Sequence, residues 1–253
     1  MGGSNRRASV TRWIGAAAAA VIVTLALGVA RPGVSAQSKS AAGAIPALAG
    51  VWDSTNRSHP TNSERIPWGK ENFPELNERA LAYQKVFDEA ISPKYDCQPS
   101  TPPAIEFDPY FLEIVQMKDR VVFKYEKDDQ VRTAWLDGRQ ATVHDIGIQG
   151  FSVGRYENNA LIVETDHYVF DITGFDDYNG IPSSPLKKVT ERYWREGEEL
   201  RFTVTVDDPM FLRKPTSYTA RYLPAPKGYK LVTFDCDPES SRAMVKFLPP
   251  KYR

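Results

Sequence analysis

Two glutamates and two histidines have the types and spacing best suited to acid–base chemistry in this sequence. Glu164 and His167 lie at the polar end of an apolar run, Glu191 lies midway along the next strand-like run, and His144 precedes them both. Two carboxyl groups in one site share a proton, so one becomes an acid and the other a base. Facing one cavity, with His167 or His144 assisting, Glu164 and Glu191 would suit cofactor-free isomerisation, elimination or hydration.

Arginines offer a structural alternative for the same glutamates. Strand-like runs carry Arg155, Arg192, Arg201 and Arg221. A buried glutamate paired with an arginine satisfies charge without doing chemistry, and such structural pairs perturb carboxylates as catalytic sites do. The sequence favours ion pairing and keeps the catalytic pair as the alternative.

Side-chain alternation divides the polar cluster at residues 164–167. Successive side chains of a strand point to opposite faces. A regular strand therefore places Ala160, Ile162, Glu164 and Asp166 on one face and Leu161, Val163, Thr165 and His167 on the other. We expect Asp166 and His167 to face different ways. In the next run, Val189, Glu191, Tyr193 and Arg195 share a face.

Several common cofactor and metal motifs do not occur in the chain. There is no glycine-rich phosphate loop, no H-E-x-x-H, no paired C-x-x-C and no EF-hand spacing. His144 and His167 could bind a metal together with Glu164 or Asp145, but nothing in their spacing requires it, so we expect neither a metal nor another cofactor. Basic and acidic side chains number 32 each, so no excess of positive charge points to a nucleic-acid partner.

The first 36 residues have the pattern of a secretory signal peptide. Arginines at positions 6, 7 and 12 precede an apolar run at 13–30, and a small-x-small site ends at Ala36. The run is about long enough to serve as an uncleaved membrane anchor, but the cleavage site favours removal. Cleavage takes away four arginines and no acidic residue, leaving 28 basic and 32 acidic side chains. We expect a periplasmic or secreted protein that meets the membrane only through its signal peptide.

The only two cysteines, Cys97 and Cys236, both lie in the exported part. In an oxidising compartment two distant cysteines most simply form one disulfide. A catalytic cysteine would need a positive or histidine-containing environment, whereas Asp96, Asp235 and Asp237 flank these two. The sequence therefore predicts a Cys97–Cys236 disulfide.

Most of the exported chain is predicted to form β-structure. Helical spacing of apolar residues predicts one N-terminal helix at 74–90, and nine short runs rich in Val, Thr, Tyr and Phe follow residue 110. The runs are 110–117, 119–126, 131–137, 151–157, 160–168, 187–195, 200–206, 217–223 and 229–236. Turn residues join most of them, so we predict a mainly β fold, an antiparallel meander closing into a lipocalin-like β-barrel. A β-sandwich is the alternative.

This interpretation divides the chain into four parts. Residues 1–36 form the signal peptide, 37–50 a flexible leader low in complexity, 51–109 a segment that contains the helix, and 110–253 the barrel domain. The interior of such a barrel can be filled by side chains or can hold one small apolar ligand. The link at 169–186 would form a loop over one end of the barrel.

Four motifs resemble a family of exported bacterial proteins of unassigned function. They are VGRYENNALIVET, the DGR at 137–139, KKVTERYWR and the VDDPMF at 206–211. Members of that family carry a pattern similar to G-R-W-E-G-D-x-L-V-V-E-T, then E-R-[YF], then D-P. The resemblance spans about residues 95–236 and departs at Asn158-Asn159, which still suits a tight turn, and at Cys236-Asp237-Pro238. It implies a β-rich exported domain and assigns no catalytic residue.

The predicted meander and the many aromatic residues, 12 Phe, 12 Tyr and 5 Trp, favour binding of a small apolar or aromatic molecule. The expected ligand contacts are Arg155, Arg192, Tyr193, Arg221 and Trp135. Two alternatives stay open: the acid–base enzyme above, and an envelope accessory protein that binds another protein.

Overall fold

The structure is a computed structural model that describes residues 44–54, 73–177 and 179–247. The predicted signal peptide, its cleavage site after Ala36 and residues 37–43 of the predicted leader lie outside the described residues, as do residues 55–72. Within the described ranges, no helix is both long enough and apolar enough to cross a bilayer.

Eleven strands and two α-helices make up the regular structure of the described chain. The helices are α1 (Glu78–Val86) and α2 (Pro238–Met244). The strands are β1 (Gly50–Asp53), β2 (Phe111–Gln116), β3 (Arg120–Tyr125), β4 (Val131–Trp135), β5 (Phe151–Glu157), β6 (Ala160–Asp166), β7 (Asp171–Asp176), β8 (Ile181–Ser183), β9 (Lys188–Glu196), β10 (Glu199–Asp207) and β11 (Thr216–Pro224).

Nine of these strands form one closed barrel in the order β1-β11-β10-β9-β6-β5-β4-β3-β2. The predictions of a mainly β fold and of barrel closure are confirmed. One feature departs from a simple meander: β4 and β5 pair in parallel, because residues 136–150 cross over between them. The remaining barrel pairs are antiparallel, and the β5–β6 hairpin turns at Asn158 and Asn159, which both have positive φ as a tight hairpin turn requires.

The strand that closes the barrel differs from the one expected. β1 lies in the chain ahead of the predicted barrel domain and pairs with both β2 and β11. The run at 229–236 was expected to be the ninth strand, and it forms no strand. The link at 169–186 also differs, because it contains the separate β7–β8 hairpin.

Helix α1 is shorter at both ends than the predicted 74–90. Asn77 caps its N-terminus, and the Asn77 side chain accepts hydrogen bonds from the backbone N–H groups of Arg79 and Ala80. Leu76 is unavailable to the helix because it forms a β-bridge with Leu212. At the other end Phe87 is extended and packs against Gly180, where a Cβ atom would lie only 2.1 Å from the ring.

Side chains from opposite walls meet inside the barrel. The ring centre of Phe123 on β3 lies 5.2 Å from the ring centre of Tyr193 on β9, although three strands separate β3 from β9 around the wall. A 3-10 turn at Ala104–Phe107 contributes further to the core: its Ile105, Glu106 and Phe107 are all buried. We call residues 101–107 the plug. Its Phe107 ring contacts β10 and β11, so plug and wall side chains pack into one core.

Buried Lys187 connects the plug to the β7–β8 hairpin. Its Nζ donates hydrogen bonds to Thr101 Oγ1 at 3.0 Å and to the carbonyl oxygens of Pro102 at 2.9 Å and Gly174 at 3.1 Å. Burial lowers the pKa of Lys187 to about 8, against the opposing effect of the nearby Asp171 and Asp208 carboxylates. The hydrogen bonds of this lysine therefore hold together two segments that are far apart in sequence.

The Cys97–Cys236 disulfide is present, as predicted, and joins residues 139 positions apart. Arg242 reinforces this connection by donating to the Ala90 carbonyl at 2.8 Å and by pairing with Asp96. Together these contacts hold the C-terminal segment against the chain that leads into the plug. The disulfide is consistent with an oxidising compartment.

We expect the stability of the protein to rise with pH between about 8 and 10.5 because of Lys187. In that window the unfolded chain keeps the lysine proton while the folded chain releases it, so unfolding binds a proton and stability increases with pH. The full effect is about 3 kcal/mol. Urea denaturation from pH 7 to 10.5 measures it, with Lys187→Met as the variant that should lack this increment. An equal pH dependence in both proteins would contradict the assignment.

Candidate functional site

Buried Arg132 is the hub of a polar network inside the barrel. From β4 it reaches Glu191 on β9 through two hydrogen bonds, from Nη1 at 2.5 Å and from Nη2 at 2.6 Å. Nη2 also donates to Tyr125 Oη at 2.9 Å and to Glu106 Oε1 at 3.2 Å. Tyr193 completes the shell by donating to Glu191 Oε1 at 2.6 Å. One arginine thus connects two walls and the plug.

The pKa values of the two buried carboxyl groups in this network shift in opposite directions. Burial, together with the negative charge of Glu191, raises the pKa of Glu106 well above its usual range. Burial alone would raise the pKa of Glu191 as well, but the charge and hydrogen bonds of Arg132 outweigh it and lower that pKa. These shifts predict that Glu191 is the carboxylate and Glu106 the protonated acid.

The alternative arrangement, with Glu164 and Glu191 facing one cavity, does not form. Glu191 points into the barrel, whereas Glu164 lies on the outer face of β6 with half of its side chain exposed and pairs with Arg155 at 2.9 Å. Each glutamate is thus paired with an arginine, as the structural interpretation predicted. The partner of Glu191 is Arg132, which had not been among the candidates.

The residues expected to contact a ligand are dispersed over the barrel. Arg155 and Arg192 lie on the outer wall, and Arg192 stacks over Trp194 at 4.8 Å. Arg221 pairs with Glu199 at 2.7 Å. Trp135 ends β4 beneath the guanidinium of Arg139, 3.5 Å from the ring centre. Tyr193 is buried in the network described above, so these residues do not converge on one pocket. The five residues that lie apart from one another are Arg155, Arg192, Tyr193, Arg221 and Trp135.

A groove on the outer wall brings together part of the sequence-predicted polar cluster. It has a volume of about 390 Å³ and lies between the crossover residues 139–141 and the outer faces of β5, β6 and β9. We call it the His167 groove. Its lining is Arg139, Gln140, Ala141, Phe151, Val153, Glu164, Thr165, Asp166, His167, Lys188, Val189 and Thr190. The volume lies within the range of small-molecule sites.

No protein-family model and no curated protein sequence matches this chain.

Asp166 and His167 line the same groove, contrary to the expectation from alternation. His167 follows the last residue of β6 and has a φ of 61°, so the regular alternation of the strand ends there. Its ring reaches back to Asp166, and Nδ1 lies 2.5 Å from Asp166 Oδ1. A left-handed conformation costs a non-glycine residue on the order of 1 kcal/mol, so the surrounding contacts must hold it.

The crossover segment supplies those contacts. Gly147 donates its N–H to the His167 carbonyl at 3.0 Å and accepts from Val169 N–H at 3.1 Å. Gly150 passes so close to β6 that a Cβ atom there would lie 2.4 Å from the Asp166 carbonyl oxygen. The turn that carries the histidine is therefore fixed by the chain that also forms the rim of the groove.

His144 lies outside the lining of the groove. It belongs to the short 3-10 turn Val143–Asp145, is exposed, and lies within the capping box made by Thr142 and Asp145. Hydrogen bonds from Thr142 lower the pKa of Asp145, with smaller contributions from His167 and His144. Asp145 is thus near both imidazoles. Within the described residues, no group of three or more His, Cys, Asp or Glu side chains is arranged to hold a metal.

Ser152 lies in a G-x-S-x-G sequence at 150–154, the pattern that carries the nucleophile in many hydrolases. Here the pattern runs along β5 and not through a strand-to-helix turn. Ser152 is buried in the barrel, and its Oγ lies 2.8 Å from Thr165 Oγ1. The serine and His167 are therefore on opposite sides of the wall, and no Ser-His-Asp triad forms.

A second cleft, of about 430 Å³, lies beside α1 and is mainly apolar. The rings of Tyr83, Phe170 and Phe211 form it, with Arg79, Ala82 and Met210. Specific binding sites combine apolar surface with a few convergent polar groups, and the His167 groove has both. We therefore take the groove as the candidate site.

We expect Glu191→Gln to destabilise the fold by about 3–5 kcal/mol, because it leaves the buried charge of Arg132 without a carboxylate. Glu106→Gln is the matched control. If Glu106 holds the proton, as its raised pKa predicts, the amide preserves its size and charge, and we expect a loss below about 1.5 kcal/mol. Urea denaturation at pH 7 compares the two variants. Equal losses would show that the proton is not held by Glu106.

Proposed function

We propose that this protein is an exported binding protein for a small, partly apolar molecule that lies in the His167 groove. One observation carries the proposal: a groove of suitable size combines an apolar floor with charged walls. Phe151 and Val153 on the outer face of β5 form the floor. Glu164, Asp166 and Lys188 provide groups that can orient a polar substituent.

The packing of the interior supports a site on the outer wall. Wall and plug side chains meet across the axis, and two voids beside the plug measure about 10 Å³ each, far below the roughly 300 Å³ or more of a small-molecule site. A lipocalin-like ligand within the barrel would have to displace Phe107 or the Arg132 network. The outer groove needs no such displacement.

Export is supported by two independent features. The first is the signal-peptide pattern of residues 1–36, and the second is the Cys97–Cys236 disulfide. On this proposal the protein works in the periplasm or outside the cell.

Filling the groove should abolish binding. Ala141 lines it, so Ala141→Trp places an indole where the ligand lies. We expect benzyl alcohol, benzamide and hexanol, titrated singly into the ¹⁵N-labelled protein, to shift amide signals around residues 141, 151 and 153 in the parent protein and not in this variant.

Val143→Trp is the matched control for this titration. Val143 is exposed on the same segment and does not line the groove, so its replacement adds the same ring and should preserve the shifts. Binding that survives Ala141→Trp, or that maps to the interior of the barrel, would contradict the proposed site.

Export predicts a defined mature terminus. When the full chain is expressed in a Gram-negative host, we expect the periplasmic product to begin at Gln37, because the signal sequence ends at Ala36. Intact-mass spectrometry of the periplasmic fraction measures this, and non-reducing peptide mapping checks the disulfide. An uncleaved chain in the membrane fraction would show that the N-terminal segment is an anchor.

A further inference from the structure

We propose that the Asp166–His167 pair makes the groove a hydrolytic site, in which His167 acts as a general base on water and cleaves esters of small, partly apolar molecules. This inference rests on the proposed function, because the ester must bind where the ligand binds. It goes beyond that function by assigning a reaction to Asp166 and His167, which regular strand alternation would place on opposite faces.

The geometry of the pair suits a general base. Asp166 engages Nδ1 of His167 at 2.5 Å, which places the proton of the neutral ring on Nδ1 and leaves Nε2 as the acceptor. Within the described residues, the imidazole of His167 forms hydrogen bonds only through Nδ1. About a third of the His167 side chain is exposed, so solvent and a bound ester can both reach it.

The turn that carries His167 is held in advance of any ligand. A histidine with positive φ is uncommon, and such conformations persist where the surrounding structure imposes them, often at functional sites. Two hydrogen bonds to Gly147 and the close approach of Gly150 impose it here. Preorganisation of this kind keeps a catalytic group in place without a cost at the time of reaction.

The proposed step balances without a cofactor. His167 Nε2 accepts a proton from a water molecule, whose oxygen bonds to the ester carbonyl carbon while the carbonyl π electrons move to its oxygen. When that tetrahedral anion collapses, the bond to the leaving oxygen breaks and the imidazolium returns its proton to this oxygen. The products are a carboxylic acid and an alcohol.

Other groups around the histidine define its surroundings. Lys188 lines the groove and brings a positive charge to the wall where negative charge develops. Glu164 is tied to Arg155, and Arg139 to Asp137 through Nη2 at 2.5 Å. Ser152 faces the barrel interior, so water and not a serine hydroxyl is the nucleophile.

The test is hydrolysis of p-nitrophenyl acetate and p-nitrophenyl butyrate by the purified mature chain, followed by release of p-nitrophenolate. We expect His167→Gln to lower the rate about 100-fold or more, the usual contribution of a general base. Asp166 is a positioning residue, and Asp166→Asn should lower the rate at least about tenfold because the amide no longer fixes the tautomer. Imidazole ¹⁵N shifts should show the Nδ1–H tautomer in the parent protein and its loss in Asp166→Asn.

Two variants control for unspecific reactivity. His144→Gln removes an exposed histidine outside the groove, and Ser152→Ala removes the serine of the G-x-S-x-G sequence; both should retain the parent rate. Hydrolysis that persists in His167→Gln, or that is lost in Ser152→Ala, would overturn the assignment. If benzyl alcohol binds at residues 141–153 but the esters are not hydrolysed, the catalytic inference fails and the binding function stands. If the parent protein shows neither binding nor hydrolysis, both fail.

Discussion

The ion pair between Arg132 and Glu191 is the constraint on which the interior of this barrel depends. Both groups are buried, so neither can be left alone without a large desolvation cost. Arg132 satisfies this requirement by spanning the barrel from β4 to β9 and by contacting Glu106 of the plug. The pair therefore fixes the distance between two walls and fills the axis, where a ligand-binding barrel would have space.

The same constraint explains why the plug takes its position. The pKa of Glu106 is raised and that of Glu191 is lowered, so we expect the plug to bring a hydrogen-bonding group to the network without adding a second negative charge. Phe107 follows and packs against the wall, while Lys187 holds the other end of the plug at Thr101. Buried polar contacts thus specify the placement of a segment that has only one turn of helix of its own.

Much of the fold could be predicted from the sequence because strand periodicity and turn residues are local signals. The β5–β6 hairpin with its Asn158-Asn159 turn and the grouping of side chains on the two faces of β9 follow from such signals. The disulfide follows from the two cysteines of an exported chain. The closing strand β1 could not be predicted, since its four residues carry no periodicity and derive their pairing from two distant strands. The parallel β4–β5 pair likewise depends on a crossover that local pattern does not encode.

The candidate site was predicted only in part, because it depends on the backbone angle of a single residue and on pairing between side chains that are far apart in sequence. Alternation correctly put Glu164 and Glu191 on their respective strand faces, but it could not tell which face was inside. Arg132 carried a usable signal: it occupies the same face of β4 as buried Ala134, and an arginine at a core position demands a buried carboxylate partner. His167 carried no such signal, because its positive φ is imposed by Gly147 on another segment.

These features place the accessible chemistry on the outside of the wall. Inside, Arg132 pairs with Glu191 and contacts Glu106, and buried Lys187 donates to the plug and to β7. Outside, the strand ends one residue before His167, and the crossover that joins β4 to β5 in parallel passes over that end. If β4 and β5 were antiparallel, a short turn could join them, and no segment would cover the outer face of the wall here. The parallel pair requires a long connection, and that connection builds the groove.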